Sequence, residues 1–346
     1  MAKQFGSWKV IGELGSGGQG QTFRVVEIKD GIESKDVFVL KLLKHPAQIV
    51  RFENEIRACS KLSHPNILKI IDHVLTGPYP YLVSEYCAGG SLNDINVSDY
   101  SVIDRLRMFR AICGGVAYAH RNQPQIVHRD LKPSNIFLRD DRKTPVVGDF
   151  GICFIDEDGS RITLTHEAVG ARRYTAPELE DGRAEDISPS ADVYSLGKLL
   201  YWLMAGSVFD REKHREPRFD LTKNESDPAL HWVYELLDKM IQENPSERFN
   251  DADVLSEAVE DVIKKVLMNA HPLDLAAPQA CLYCGAGFYK KFLQTDHNDG
   301  ASTEKLNNSG FRFSPLQKWL ILVCDNCGNS QVFIRNFPRK NNWKTN

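Results

Sequence analysis

A short polar stretch, residues 128–135, constrains this chain more than any other part of its sequence. It reads His-Arg-Asp-Leu-Lys-Pro-Ser-Asn, and Asp-Phe-Gly follows at 149–151. Asp130, Asn135 and Asp149, which can handle protons or metal ions, therefore lie close together along the chain. Phosphoryl transfer needs such groups, because its catalysis consists of positioning and of neutralising charge. The stretch predicts a phosphoryl-transfer site rather than an ordinary polar loop.

The order and spacing of these residues resemble the signature of the protein kinase family. The resemblance covers roughly residues 8 to 265 and implies a bilobal α+β fold, with a β-rich N-lobe and an α-rich C-lobe. It implies that Asp130 orients and deprotonates the substrate hydroxyl, that Asn135 and Asp149 hold Mg²⁺, and that Lys132 lies beside the transferred group. Lys132 is the residue expected in Ser/Thr kinases, so we expect ATP and a protein substrate with Ser or Thr.

A glycine-rich stretch near the N-terminus predicts a loop that covers phosphates. Gly15, Gly17 and Gly20 follow a predicted strand at 8–11 and precede a β-rich run that starts at Thr22. Dinucleotide-binding folds share this glycine pattern, but there it opens a helix. The run that follows here favours a hairpin, in which glycine lets the backbone approach the phosphates closely.

The resemblance assigns the next part of the site to a strand and a helix. Lys41 ends a predicted strand at 37–41 and would pair with the α- and β-phosphates. Apolar residues at three- and four-residue steps predict a helix over 46–62. On that helix Glu55 would pair with Lys41, whereas Glu53 suits an exposed face better.

Residues 82–90 resemble the hinge between the two lobes. Backbone groups of Glu85 and Cys87 would there meet the adenine. Ser84 would gate the pocket behind the adenine, and its small side chain predicts an open pocket unless neighbouring residues fill it. Thr22 and Val39 would complete the nucleotide site, at positions where the family usually has valine and alanine.

The segment from residue 151 to Ala176-Pro177-Glu178 is polar and carries Thr163 and Thr165. Because Arg129 precedes the catalytic aspartate, the resemblance implies that a phosphate on this segment pairs with Arg129 and orders the segment. Thr163 or Thr165 is the predicted site of autophosphorylation. The alternative is a loop that is merely rich in hydroxyls, and Ala171 stands where Ser/Thr kinases usually have threonine.

The C-lobe also carries predicted structural residues. Asp192 matches the buried aspartate that braces the catalytic loop, and Arg248 matches the partner of Glu178. Apolar periodicity predicts three helices in this half of the chain, at 105–121, 190–204 and 251–268.

Two C-x-x-C pairs distinguish the C-terminal part: Cys281, Cys284, Cys324 and Cys327. Four thiolates form a closed tetrahedral site suited to Zn²⁺, and predicted strands at 318–323 and 331–337 flank the second pair. The pattern resembles a zinc ribbon. A rubredoxin-type iron site is the alternative, which the long spacer between the pairs disfavours. The predicted division is a kinase domain (8–268), a linker (269–280), a four-cysteine zinc-ribbon-like domain (281–337) and a basic tail (338–346).

Charge and hydropathy bear on what the chain binds and where in the cell it is expected. The chain carries a net charge of −3, but residues 281–346 contain nine Lys/Arg against four Asp/Glu. These basic residues alternate with aromatics, a composition that can bind nucleic acid. A small metal-stabilised core with a solvated basic face is favoured, and a protein partner or substrate remains open. No apolar run approaches the ~18 residues of a membrane span, and no signal peptide begins the chain. The scattered cysteines fit a reducing compartment; we therefore expect a cytoplasmic protein that contacts no membrane.

The predicted function is that of a Ser/Thr protein kinase whose zinc ribbon recruits partners or substrates. One alternative is a catalytically weak pseudokinase scaffold, which the departures at Thr22, Val39 and Ala171 favour. The presence of the five residues with assigned chemistry argues against it: Lys41, Glu55, Asp130, Asn135 and Asp149. A nucleic-acid-binding protein regulated by its kinase module is the other alternative.

Overall fold

The computed structural model of the chain describes residues 3–17, 20–42, 56, 62–123, 125–150, 172–180, 187–223, 227, 229–267, 289–294, 319–324 and 330–334. The chain divides into two compact units, Met1–Asn269 and Ala270–Asn346. Most of the predicted helix at 46–62, with Glu53 and Glu55, lies outside the described residues. So do Thr163, Thr165 and Ala171.

The first unit begins with an antiparallel sheet of six strands in the order β1-β2-β3-β4-β6-β5. The predicted strands at 8–11 and 37–41 are present and longer than predicted, and the predicted β-rich run from Thr22 lies in a strand. Trp8, Val25, Leu40 and Val83 form much of the apolar cluster of this sheet. The strands are β1 Gln4–Phe5, β2 Trp8–Gly17, β3 Gly20–Lys29, β4 Ile32–Leu42, β5 Ile70–Val74 and β6 Tyr81–Glu85.

The rest of the first unit is mainly helical and contains the main hydrophobic core. The Ser101 hydroxyl caps the first helix by accepting a hydrogen bond from the Asp104 N–H. The third helix ends at Gly206, whose φ of 69° is left-handed and so suits glycine. All three predicted helices are present within three residues of their predicted bounds. The helices are α1 Val102–His120, α2 Pro177–Glu180, α3 Ser190–Ala205, α4 Leu230–Met240 and α5 Ala252–Leu267.

A short hairpin follows α1 and lies between Asn135 and Asp149 along the chain. Its strands, β7 Ile136–Leu138 and β8 Pro145–Val147, are antiparallel. Isolated bridges join it to the rest of the unit, from Val147 to Ile67 and from Phe137 to Ser91. Short 3₁₀ turns fill the remaining connections, at Leu92–Asp94, Val97–Asp99, Pro133–Asn135, Lys213–Arg215, Pro217–Phe219, Leu221–Lys223 and Pro245–Glu247. A sheet lobe followed by a helical lobe agrees with the predicted bilobal α+β fold.

The second unit contains a three-stranded antiparallel sheet with β10 in the centre. Its strands are β9 Tyr289–Gln294, β10 Trp319–Cys324 and β11 Ser330–Ile334. The two strands that the sequence predicted are present with slightly shifted bounds, and β9 was not predicted. Cys281, Cys284 and Cys327 lie outside the described residues, as does the side chain of Cys324.

None of the helices in the described part of the chain is both long and apolar enough to cross a bilayer. The same residues contain no cluster of three or more His, Cys, Asp or Glu side chains placed to hold a metal ion.

Candidate active site

Asp192 lies beneath the loop of residues 128–135, the predicted catalytic loop, and fixes the start of its backbone. From the first turn of α3, its Oδ2 accepts the His128 N–H at 2.7 Å and its Oδ1 accepts the Arg129 N–H at 2.8 Å. His120 Nε2 lies 2.9 Å from Oδ2. Burial alone would raise the pKa of Asp192, but the hydrogen bond and charge of His120 hold it below its ordinary value. These contacts confirm the predicted brace.

The brace holds Arg129 in a left-handed conformation, at a φ of 68°. Non-glycine residues rarely adopt this region, and such strain persists where surrounding contacts impose it. The Nη1 atom of Arg129 is buried and has no hydrogen-bond partner among the described residues. Burial lowers the pKa of Arg129, and the nearby Asp192 opposes that effect.

The loop that follows brings three predicted residues together. Lys132 Nζ donates to both carboxylate oxygens of Asp130, at 2.9 and 2.8 Å. Asn135, at the end of a 3₁₀ turn, donates from Nδ2 to the backbone oxygen of Asp130 at 2.7 Å and to its Oδ2 at 2.9 Å. The Asp130 carboxylate is therefore oriented by a cation on one side and an amide on the other.

Asp149 connects the two lobes. It follows β8, and its Oδ1 lies 3.3 Å from the Nζ of Lys41 at the end of β4. Burial alone would raise the pKa of Asp149, but the Lys41 ammonium holds it below its ordinary value. Its backbone is strained at a φ of 50°. The adjoining residues are held, because the Phe150 ring packs on His128 at 4.6 Å and His128 Nε2 lies 3.0 Å from the Gly148 oxygen.

The glycine-rich stretch forms a hairpin, as predicted, and not the start of a helix. In the β2–β3 register Gly15 is opposite Thr22, and Gly17 is opposite Gly20. Thr22 Oγ1 donates to the Gly15 oxygen at 3.1 Å. Thr22 is also the neighbour of Lys41 across β3 and β4, so the hairpin continues directly into the strand that carries Lys41.

The predicted hinge begins at the end of β6. Ser84 is buried and lies opposite Val39 in the β4–β6 register. The Glu85 carboxylate is engaged by two groups, since Oε2 lies 2.9 Å from Arg139 Nη1 and Oε1 accepts the Lys69 N–H at 3.0 Å. Both carboxylate oxygens of Glu85 therefore have partners within the protein.

The chain leaves the hinge beside β7. Gly89 donates its N–H to the Leu138 oxygen at 3.0 Å, and the Leu138 N–H returns to the Gly90 oxygen at 2.8 Å. A Cβ at Gly89 would lie 2.1 Å from the Arg139 oxygen, so only glycine allows this approach. Burial raises the pKa of Cys87 to about 11, which keeps this hinge thiol protonated at neutral pH.

With this geometry established, comparison with known proteins identifies the family. The protein kinase domain model matches residues 8–271. The chain belongs to the protein kinase family. Pkn1, a serine/threonine-protein kinase of Myxococcus xanthus, is 34% identical over 207 residues, which is 59% of this chain and 29% of that protein.

Two other relatives show the breadth of the kinase match. Serine/threonine-protein kinase PknB of Mycobacterium leprae is 32% identical over 171 residues, 48% of this chain and 27% of that protein. The calcium/calmodulin-dependent protein kinase type II of Caenorhabditis elegans is 31% identical over 256 residues, 70% of this chain and 34% of that protein. The chain thus spans about a third or less of the length of each of these three relatives.

The kinase domain also contains the predicted structural ion pair. Arg248 is buried and contacts both carboxylate oxygens of Glu178, Nη1 at 2.7 Å and Nη2 at 2.9 Å. This bidentate geometry confirms the prediction. It connects α2, which follows the segment of residues 151–171, to the loop before α5.

Two features of this kinase domain were missed in the sequence. Lys198, in the middle of α3, is buried and donates to the backbone oxygens of Phe209 and Arg211 at 2.8 and 2.6 Å. Phe137 lies on β7 between two fully buried neighbours, Ile136 and Leu138, and is itself only half-buried. Strand alternation after Asn135 is the one signal that could have indicated Phe137.

Proposed function

We propose that this chain is a Ser/Thr protein kinase that transfers the γ-phosphoryl group of ATP to protein hydroxyls. The observation that carries the proposal is the contact between Lys41 and Asp149 across the lobes, beside the cluster of Asp130, Lys132 and Asn135. The names of the relatives, serine/threonine-protein kinases among them, support the same reaction.

The donor groups fit the nucleotide and its metal. The amide oxygen of Asn135 and the Asp149 carboxylate are hard oxygen donors of the kind that Mg²⁺ prefers, and they would hold it. Bound Mg²⁺ would supply neutralisation of the phosphate charge. Lys41 would then bind the α- and β-phosphates from β4, and the β2–β3 hairpin would cover them. Backbone groups of Glu85 and Cys87, with Thr22, Val39 and Ser84, would bind the adenine.

The acceptor side of the reaction would use Asp130 and Lys132. Asp130 would accept the proton of the substrate hydroxyl, because Asn135 and Lys132 hold its carboxylate in one orientation. Lys132 would neutralise the charge that develops on the transferred group. Glu55, outside the described residues, would pair with Lys41.

Phosphorylation at Thr163 or Thr165 would regulate the kinase. Support comes from Arg129, which is held in a strained conformation and has a buried Nη1 with no partner among the described residues. A phosphate oxygen would satisfy that donor and form a charge-assisted pair with the guanidinium.

The test is transfer of labelled γ-phosphate from ATP with Mg²⁺, by wild type, by Asp149→Ala and by a matched control. Asp36→Ala is that control, because Asp36 is an exposed acid on β4. We expect label on Ser or Thr with wild type and with Asp36→Ala, and none with Asp149→Ala. Mapped label on Thr163 or Thr165 would support the regulatory proposal. Tight nucleotide binding without transfer to the chain itself or to generic substrates would favour the scaffold alternative.

For the C-terminal unit we propose a zinc ribbon with four cysteine ligands. The sheet register supports it, because Tyr289 at the start of β9 lies opposite Cys324 at the end of β10. Cys284 precedes Tyr289 by only five residues, a reach of less than about 18 Å. The first C-x-x-C pair is therefore joined by a short stretch of chain to the strand end that lies opposite Cys324.

Metal analysis of the purified full chain tests the ribbon. We expect about one equivalent of zinc, as structural four-thiolate sites bind one ion, and its loss in Cys324→Ser. Iron in place of zinc would favour the rubredoxin-type alternative, and no metal would contradict the proposal. We further propose that the ribbon recruits an acidic partner or substrate, since residues 281–346 carry an excess of basic side chains; partner binding that is insensitive to salt would contradict this role.

A further inference from the structure

Lys198 is a fully buried lysine in the middle of α3, and none of the proposed catalytic steps uses it. Its Nζ donates to the backbone oxygens of Phe209 at 2.8 Å and of Arg211 at 2.6 Å. The same ammonium lies 3.9 Å from the centroid of the Phe209 ring, within the range of a cation–π interaction. Burying an ammonium group is costly unless it is well hydrogen-bonded. Both hydrogen bonds of Lys198 reach one short stretch of chain, the turn of residues 209–212.

A second side chain of α3 also holds the 209–212 turn. The Tyr194 hydroxyl, one helical turn before Lys198, donates to Glu212 Oε1 at 2.8 Å. Arg211 has a left-handed φ of 53°, which non-glycine residues rarely adopt unless surrounding contacts impose it. The bond from Lys198 to the Arg211 oxygen is one such contact. The turn is therefore fixed on α3 at both of its ends.

The remaining residue of the turn, Asp210, contacts the segment of residues 172–180. Its Oδ1 lies 3.0 Å from Nε of Arg173. The Arg173 side chain is 48% exposed and that of Asp210 is 66% exposed, so this pair contributes little to the stability of the fold. Because Asp210 belongs to a turn that α3 fixes, the pair can still determine where the start of segment 172–180 lies.

Segment 172–180 and the catalytic loop are both attached to the first turn of α3. There the Asp192 carboxylate accepts two backbone N–H groups of the catalytic loop. Two residues earlier, the Ser190 oxygen accepts Arg248 Nη1 at 3.1 Å, and the same nitrogen contacts Glu178 of the segment at 2.7 Å. The segment therefore borders the catalytic loop. A protein substrate is larger than its acceptor hydroxyl, so it would contact this segment when the hydroxyl meets the loop.

We propose that Lys198 is a positioning residue for the protein substrate: it fixes the 209–212 turn, and the Asp210–Arg173 pair passes that position on to segment 172–180. The proposal rests on the proposed function, because it requires a protein acceptor at the catalytic loop. Lys198 itself does not touch the substrate and acts only through the turn. A lysine with a merely structural role would stabilise the fold without a selective effect on the binding of the protein substrate.

Steady-state kinetics of the full chain test the proposal, with casein and the inactive Asp149→Ala chain as protein substrates. The enzymes are wild type, Lys198→Met, Asp210→Ala and the double variant. We expect Lys198→Met to raise the KM for the protein substrate by about 10-fold and Asp210→Ala by about 5-fold, because segment 172–180 is no longer held in place. The KM for ATP should change by less than about 2-fold. In the Lys198→Met background, Asp210→Ala should have less than about a 2-fold further effect.

Two further variants are controls. Asp210→Glu keeps a carboxylate in the turn and should retain most of the affinity for the protein substrate. Asp261→Ala removes an exposed aspartate of α5 that pairs with Lys264, and it should leave every kinetic constant unchanged. A partly unfolded preparation lowers the apparent kcat and neither KM, so a loss of stability in Lys198→Met cannot produce the expected result. Asp210→Ala should unfold at the temperature of wild type, because its side chain is exposed.

The outcomes separate this proposal from the proposed function. If wild type phosphorylates neither protein substrate, the proposed function itself is wrong. If wild type transfers phosphate but Asp210→Ala leaves the KM for the protein substrate unchanged, the turn does not position segment 172–180 and the proposal is disproved. The same holds if Lys198→Met raises both KM values together or lowers only kcat. Effects of Lys198→Met and Asp210→Ala that simply add would show that Lys198 does not act through the turn.

Discussion

Two aspartates near the catalytic loop share a charge and a lowered pKa, yet they differ in what their oxygens do. Asp192, below the loop, has a fully buried side chain, and its two oxygens accept two backbone N–H groups and contact His120. Asp149, where β8 approaches the Lys41 end of β4, has a side chain that is 31% exposed, and its Oδ1 contacts Lys41 at 3.3 Å. The first carboxylate is saturated by the protein, whereas the second remains open to solvent.

The difference separates structural from chemical roles for the same residue type. A buried carboxylate with all its partners supplied by the fold stabilises that fold, and its loss leaves buried donors unsatisfied. A partly exposed carboxylate with one long ion pair contributes little to stability and can still bind a ligand. The same Asp→Asn substitution should therefore mainly lower activity at Asp149 and mainly lower stability at Asp192.

The largest effect is expected for Asp149→Asn on phosphoryl transfer. Loss of the negative charge removes the group proposed to hold Mg²⁺, and we expect the rate to fall by about 10³-fold or more. The thermal unfolding midpoint should change little, because Lys41 and Asp149 are partly exposed. Steady-state kinetics and thermal unfolding of one preparation measure both. If the variant retains full activity, Asp149 does not take part in the reaction.

Asp192→Asn should reverse this pattern. The amide offers one acceptor in place of two, so its NH₂ group faces a backbone N–H of His128 or Arg129. We expect the free energy of unfolding to fall by about 3 kcal/mol, measured by denaturant titration. Activity should fall only to the extent that the lost hydrogen bond lets the loop of residues 128–135 move from its position. If the free energy of unfolding is unchanged, the hydrogen bonds of Asp192 to the His128 and Arg129 N–H groups do not stabilise the fold.

Lys198→Met extends the comparison to a buried cation. Burial lowers the pKa of Lys198 to about 7, against the carboxylates of Glu212 and Asp210, which raise it. The unfolded chain, at the ordinary value of 10.5, binds a proton that the folded chain lacks between about pH 7 and 10.5. The stability of wild type therefore rises with pH in that window, and the variant lacks this contribution.

We expect the loss of unfolding free energy in Lys198→Met to be about 1–2 kcal/mol larger at pH 9 than at pH 7. The variant should be the less stable protein at both pH values, because two buried backbone oxygens lose their donor. The matched control is Lys143→Met, at an exposed lysine, which should show no such pH dependence. A gap between wild type and Lys198→Met that narrows as the pH rises would contradict the assigned pKa direction.

The smallest effect is expected at Asp72, a half-buried carboxylate with one side-chain partner and one backbone partner. Asp72 accepts the Trp8 Nε1–H at 2.7 Å and the His73 N–H at 2.8 Å. Trp8→Phe keeps an aromatic ring in the sheet and removes one of these bonds, so we expect a loss of about 1 kcal/mol from the hydrogen bond. Denaturant titration measures it. If the free energy of unfolding falls as much as in Asp192→Asn, the number of hydrogen-bond partners does not by itself determine how much each carboxylate contributes to stability.

Much of the site was predictable, because its chemistry requires particular residue types at short spacing. Asp130, Lys132 and Asn135 lie within one loop, and the structure brings them into contact as that spacing implies. The hairpin at Gly15–Gly20 and the brace at Asp192 followed from pattern and family resemblance, and both are observed. The direction of the Glu85 side chain was not predictable, since its partner Arg139 lies far along the chain.

The sequence by itself determined the protein kinase family, the bilobal fold and the residues proposed to act on ATP. These follow from local signals: apolar periodicity, glycine placement and the order of charged residues around the catalytic loop. Only the tertiary structure decided that the Phe137 ring fills the space beside Gly148, where a Cβ would lie 2.5 Å from the ring, and that Lys198 is buried against the Phe209 and Arg211 oxygens. Such contacts depend on how distant or adjacent strands and helices pack, and close packing leaves no signature in local spacing.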